Sequence, residues 1–251
     1  MFRRRPAPEP VSRLAVWARR TALFSVAVML LAIIVTRAGY FEIAPALASV
    51  SAALSLAALS VFLALIAFAV IWRTGHRGFG LALSGLLIGL TLLAYPAYLG
   101  IRGYRLPPVS DITTDFLDPP RFDAIARLRP RDSNPVAYAG LVAAELQQTA
   151  YPDIEPLFLS VTPQEAYEAA LAVINKRKWR VVDARAPQAG RREGRIEAVA
   201  RTMIFGFRDD VVVRIRAEPD GARLDFRSAS RYGRRDFGAN ANRIRALSEA
   251  I

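Results

Sequence analysis

Hydrophobic and polar positions follow one pattern up to Ile101 and another beyond it. Residues 21–36, 43–72 and 78–101 are three apolar runs, and Arg37, Glu42, Arg73 and Arg77 are the formal charges between Thr21 and Ile101. A bilayer crossing needs about 20 apolar residues, so the pattern predicts three transmembrane helices. The third carries Tyr95, Pro96 and Tyr98 near its end, where interfacial aromatics collect.

Past Ile101 the periods shorten. Residues 157–161 read as a strand. Thr162-Pro163-Gln164-Glu165 has the composition of a helix start, with Thr as N-cap, Pro at the first helical position and Glu placed for a capping box. Ala166, Tyr167, Ala170, Leu171, Val173 and Ile174 then recur at helical spacing. Strands are predicted at 179–185 and 195–202, joined by a turn over 188–194. A hairpin of 210–217 and 222–231 closes on Glu218-Pro219-Asp220-Gly221, a type I turn sequence. That turn sets a register placing Ile215 opposite Leu224, Val213 opposite Phe226 and Val211 near Ser228, with Ser230 on the same face. A last helix over 236–250 is expected to bury Phe237, Ala241, Ile244 and Leu247, and shorter helices are expected at 121–129 and 139–150.

The expected fold class is three transmembrane α-helices followed by an α+β domain. Its antiparallel sheet carries helices packed on one face, in the order β-α-β-β-β-β-α. The expected layout is a basic cytoplasmic N-terminus (1–20), a three-span anchor (21–101), a linker rich in Pro and Asp (102–120) and a soluble domain (121–251).

Composition sharpens this picture. A 53% hydrophobic content and a mean hydropathy of +0.22 sit oddly with 34 basic residues until the two halves are separated. The first 101 residues hold nine basic and two acidic side chains, against 25 and 20 afterwards. Much of the net charge of +12 is therefore a topology signal, and no nucleic-acid partner is expected. Arg3, Arg4, Arg5, Arg13, Arg19 and Arg20 precede the first span, and Arg73 and Arg77 lie in the second loop. The positive-inside rule puts both segments in the cytoplasm and the C-terminal domain across the membrane. The Arg- and Ala-rich composition looks bacterial, so the expected location is the inner membrane with a periplasmic domain.

Chemistry is narrowed mainly by exclusion. The chain has no cysteine, and its one histidine, His76, lies between apolar runs. A Ser-His-Asp triad, thiol catalysis and His- or Cys-based zinc sites are thus excluded from the soluble domain. No cofactor or metal is expected. The spans carry no central ionisable residue, so they read as an anchor, with the bilayer as first partner. Gly85 and Gly89 form a GxxxG that serves either helix packing within the chain or, as the less favoured reading, an oligomer.

Three constellations stand out. Asp236, Asn240 and Arg243 share a helix stripe near Ser228, Ser230 and Arg231, a set able to grip an anion or to act as a structural cluster. Asp209 and Asp210 are candidate acid/base residues, although neighbours on a strand point to opposite faces, and solvation or pairing with Arg208 is the expected state. The outer sheet face carries Arg195, Arg201, Arg214, Arg216, Arg223 and Arg227, relieved by Glu197 and Asp225. It is expected to be a solvated mixed-charge face, with anionic lipid headgroups or envelope proteins as candidate partners. Arg216 opposite Arg223 is unfavourable there unless something acidic covers the pair.

Several of these stretches together resemble a known family. They are Thr114-Asp115 with Asp118-Pro119-Pro120, Gly194-Arg195-Ile196-Glu197-Ala198, Phe207-Arg208-Asp209-Asp210-Val211-Val212-Val213-Arg214, and Ser228-Ala229-Ser230-Arg231 running through Gly233, Asp236, Gly238, Asn240 and Arg243. In this order they resemble the bacterial and plant family of domain of unknown function 1499, over roughly residues 110–250. The resemblance implies one domain with the 228–243 motif as its most specific part, the spans lying outside it, and it supplies no activity. The expected protein is a non-catalytic cell-envelope binding or assembly module. A membrane-tethered, carboxylate-dependent hydrolase is the alternative, and a lipid-binding cup between sheet and helices is the third reading.

Overall fold

The computed structural model describes residues 9–40, 43–188 and 193–251. Arg3, Arg4, Arg5, Glu42 and most of the turn expected at 188–194 lie outside the described residues. The chain divides into two units, Met1–Ile101 and Arg102–Ile251.

In the first unit, α1 (Arg13–Ala38), α2 (Ile43–Thr74) and α3 (Phe79–Arg105) are each long and apolar enough to cross a membrane. Their contacts run along small residues. Ala15, Ala18, Ala22, Ala57, Ala64 and Ala67 are fully buried, while Leu30, Leu31, Ile34 and Phe62 point outward. A bilayer offers helices no hydrophobic drive to associate, so close backbone approach and polar bonds must hold them together. Ser60 supplies such bonds, its Oγ lying 2.8 Å from the Ala18 carbonyl and 3.0 Å from that of Gly85. A Cβ on Gly85 would meet the Ala18 backbone at 2.8 Å, and one on Gly89 would meet the Ala57 carbonyl at 2.9 Å. Both glycines of the GxxxG therefore serve contacts inside this bundle.

The second unit is built on an antiparallel sheet in the order β1-β6-β5-β4-β3, with β2 also on the β6 edge. Its elements are β1 (Asp111–Thr113), a 3₁₀ turn (Ile125–Leu128), α4 (Leu141–Ala150), β2 (Leu157–Leu159), α5 (Pro163–Lys176), β3 (Arg180–Arg185), β4 (Glu193–Arg201), β5 (Arg208–Glu218), β6 (Gly221–Ser230) and α6 (Ala239–Ser248). The hairpin register matches expectation, pairing Ile215 with Leu224, Val213 with Phe226 and Val211 with Ser228. The capping box of α5 is also present: Thr162 Oγ1 accepts from Glu165 N–H, and Glu165 Oε2 accepts from Thr162 N–H at 2.9 Å. α5 and α6 cover one sheet face over Ile112, Ile174, Ile196, Phe226, Ile244 and Leu247, all buried. Fully burying a side chain of this size contributes about 1.5–3 kcal/mol.

Three expectations need correcting. Residues 111–120 are no linker: β1 pairs with β6, and Gln147 of α4, itself fully buried, bonds both the Thr113 N–H (3.0 Å) and its carbonyl (2.6 Å). An acidic, Pro-flanked stretch three residues long carries too little alternation to read as a strand. The helix expected at 121–129 is a single 3₁₀ turn. The last helix begins at Ala239, because Phe237 (φ 54°) and Gly238 (φ 78°) are left-handed, and Phe237 is only half-buried.

Candidate functional site

Asp209 of β5 lies opposite Ser230 of β6, and both sit on the face that receives α6, together with Ser228. Asn240, in the first turn of α6, ties them together. Its Nδ2 donates to Ser230 Oγ (2.9 Å) and to the Ser110 carbonyl (3.0 Å), and its Oδ1 accepts from Ser228 Oγ (2.8 Å). Arg243, one turn on, donates to Ser228 Oγ (2.8 Å), to Asn240 Oδ1 and to Asp209. Asp236 stands before the helix. Its two carboxylate oxygens accept the N–H groups of Gly238 (2.9 Å) and Asn240 (2.7 Å), which satisfies the start of α6 and places a negative charge at the positive end of its dipole.

Five of the six expected cluster residues thus converge: Ser228, Ser230, Asp236, Asn240 and Arg243. Asp209, expected only as an alternative acid or base, joins them. Arg231 does not. It lies on the opposite sheet face, where it grips Asp210 (2.9 and 2.7 Å) while Arg129 Nε reaches the same carboxylate at 2.6 Å. Neither aspartate is solvated or paired with Arg208 as expected, because both are buried within the unit.

That opposite face also departs from expectation. Residues 114–138 fold across it, so much of it is buried. Glu197, fully buried, accepts the backbone N–H groups of Asp123 (2.9 Å), Ala124 (3.2 Å) and Ile125 (2.8 Å). Arg227, 2% exposed, is bound by Asp111 and by the carbonyls of Pro120 and Val136. Asp225, fully buried, draws in Arg214, Arg216 and Arg223. Asp115 bonds the same three guanidinium groups at 3.0–3.1 Å. Arg216 does lie opposite Arg223, and Asp115 with Asp225 supplies the acidic cover that such a pair needs. One sequence signal was available: Asp111, Asp115 and Asp118 precede a strand pair with matching arginine excess.

Asp209 and Asp236 shift in the opposite direction to Asp115. Burial pushes the Asp209 carboxyl up against the pull of Arg243, and burial likewise raises Asp236, with the Asn240 and Gly238 N–H groups opposing and the Asp209 charge adding. For Asp115 burial also acts upward, but the Asp118 N–H and the surrounding arginines win and hold its carboxyl low. A raised carboxyl binds its proton more tightly folded than unfolded. Its contribution is therefore complete below the unfolded value near ~4 and is lost as pH rises through the folded one. The depressed Asp115 contributes above that unfolded value and loses its contribution as pH falls. Asp209→Asn should therefore reduce the decline in thermal midpoint as pH is raised from about 4 to 7, and Asp115→Asn should reduce the loss on the acid side. Unchanged slopes for both variants would contradict this assignment.

Beside the cluster, a groove of about 490 Å³ runs between residues 108–111, the start of α4 and the end of β6. Val109, Pro135, Val142, Leu146 and Ala229 make its walls mainly apolar, and Asn134, Tyr138 and Ser230 supply polar groups. The Tyr138 hydroxyl is buried, with no hydrogen-bond partner among the described residues. Burial, reinforced by the Asp111 charge, pushes its pKa up to about 12, so it is a neutral donor.

These features define a protein with three helices of membrane-spanning length and an antiparallel α+β domain organised around two buried polar networks. Residues 111–251 match the model of the family described as protein of unknown function (DUF1499), and the chain belongs to that family. No curated protein and no solved structure matches it.

Proposed function

We propose that the domain is a non-catalytic binding module of the cell envelope, anchored in the inner membrane and facing the periplasm, and that the groove beside β1 holds its ligand. The observation that carries this reading is Tyr138, which lines the largely apolar groove and whose buried hydroxyl has no partner among the described residues. An unmade bond at a buried polar group costs about 1–3 kcal/mol, and an acceptor on a ligand would recover it. Exposed apolar side chains on α4 support an apolar ligand moiety: Leu141 is 76% and Val142 71% exposed. The volume also lies in the usual range for small-molecule sites, roughly 300–1,000 Å³.

The Asn240–Arg243 cluster is saturated by its own bonds, which suits a rigid wall better than a ligand grip. Its saturation also weighs against the hydrolase reading. Asp209 is engaged by Arg243, Asp210 by Arg129 and Arg231, and Asp236 by two backbone N–H groups. The basic segments before α1 and after α2 support the orientation through the positive-inside rule.

A photo-crosslinking residue at Val142 in the full-length protein, in native membranes, should capture an adduct that Ala143→Trp abolishes without lowering the thermal midpoint. Capture unaffected by the groove-filling change would refute the groove as the site. A reporter active only outside the cytoplasm, fused after Ile251, should be active; an inactive fusion reverses the orientation.

A further inference from the structure

One end of the sheet gathers positive charge around an apolar turn. The register sets Arg201 directly opposite Arg208, and β3 begins there with Arg180 across from Val199. One step beyond the Asp209–Ser230 pair, Arg231 comes beside Arg208. The charges of Arg231, Arg201 and Arg180 all bear on Arg208. Like charges directly opposed on a sheet are unfavourable. On the other half of this face Asp115 and Asp225 relieve such a pair. At this end Asp210 serves Arg231 and Arg129, and Asp209 turns to the other face, so neither offsets Arg180 or Arg208, which are exposed. In the neighbouring loop, Asp132 is accompanied by Arg131.

Between Arg201 and Arg208 runs Thr202-Met203-Ile204-Phe205-Gly206-Phe207. Met203 is 91% exposed, and the Phe205 and Phe207 rings stack at 5.6 Å. The approach to β3 at the same end adds Lys178 and Trp179, the latter under the Arg177 guanidinium at 5.7 Å. Solvent-facing sheet turns are ordinarily polar, and this one is apolar, aromatic and rimmed by arginine. The chain also enters the domain here. β1 starts at Asp111 against Ala229, and Ser110 accepts from the Ser230 N–H at 2.8 Å. Residues 106–110 join the end of α3 to β1.

We propose that this end of the domain seats on an anionic phospholipid surface, with the 202–207 turn in the interface and Arg180, Arg201, Arg208 and Lys178 over headgroup phosphates. Apolar insertion and electrostatic attraction are the two signals that together hold a segment at a membrane surface. The inference is independent of what the groove binds and of which leaflet the domain faces.

The absence of cysteine makes the test direct. Full-length Met203→Cys, labelled with an environment-sensitive fluorophore, is placed in nanodiscs of phosphatidylcholine or phosphatidylglycerol. In phosphatidylglycerol the probe should shift to the blue and be quenched by nitroxide-bearing lipids. Arg201→Glu with Arg208→Glu should return it to an aqueous spectrum, as should high salt, which requires no change of sequence. Each lost arginine should weaken seating roughly five-fold. A probe at Asp220→Cys, in the turn at the far end of the hairpin, should stay aqueous. An aqueous Met203→Cys probe in phosphatidylglycerol overturns the proposal, and so does a shift indifferent to charge reversal and salt. A shift seen only after envelope proteins are added assigns the surface to a protein partner and equally overturns it.

Discussion

Arg243→Ala is expected to destabilise the domain by about 3–5 kcal/mol, the range for removing one partner of a buried ion pair. The guanidinium is bonded to Asp209, Ser228 and Asn240, and the Asp209 side chain is 5% exposed. Truncation leaves that carboxylate buried and without its cation, and leaves Ser228 and Asn240 each short of a donor. A thermal midpoint lower by on the order of 10 °C should follow for a domain of this size. The physical cause can be isolated with Asp209→Asn in the Arg243→Ala background. Because burial already pushes the Asp209 carboxyl toward its neutral form, replacing it with a neutral amide should recover part of the loss. A loss under ~1 kcal/mol, within the range of an exposed pair, would contradict the cluster as described.

Glu197→Ala should be comparably damaging, at about 3–4 kcal/mol, through a different mechanism. One fully buried carboxylate accepts three consecutive backbone N–H groups, those of Asp123, Ala124 and Ile125. Hydrogen bonds to a charged group contribute about 1.5–3 kcal/mol each, and they are not additive when one acceptor serves several donors. Losing the carboxylate releases the segment that seats Phe122 and Ile125 against Val199, Val212 and Ala229. Glu197→Gln keeps one acceptor oxygen and should lose about half as much. Hydrogen exchange is the discriminating measurement. Amides 123–125 should lose protection while those of α5 keep theirs; full protection in the variant would show that other contacts hold the segment.

What was legible in the sequence was local. The hairpin register followed from Glu218 to Gly221 and the alternation on either side, because a two-residue connection leaves one pairing that buries both apolar faces. The start of α5 was legible because Thr162, Pro163 and Glu165 act within one helical turn. Within the 228–243 motif, the spacing of Asn240 and Arg243 already placed them on one stripe. Arg231 was misassigned because side chains alternate along a strand, so a residue one step past Ser230 belongs to the other face. The expected solvated face failed for a different reason. Its carboxylates at Asp111 and Asp115 come from a stretch that local pattern classes as a linker, about 100 residues before the arginines they bind.

The sequence by itself determined the three apolar helices, the antiparallel sheet with helices on one face, and the exclusion of imidazole and thiol chemistry from the domain. These rest on composition and on periods of two and 3.6 residues, which short stretches of chain express on their own. Tertiary structure alone decided that residues 114–138 fold over the arginine face, that Asp209 and Asp210 serve separate networks, and that a groove opens beside Tyr138. An arginine has the same intrinsic preferences whether water or a carboxylate surrounds it. Which of the two it meets depends on where distant chain is folded, and that is settled only once the core has formed.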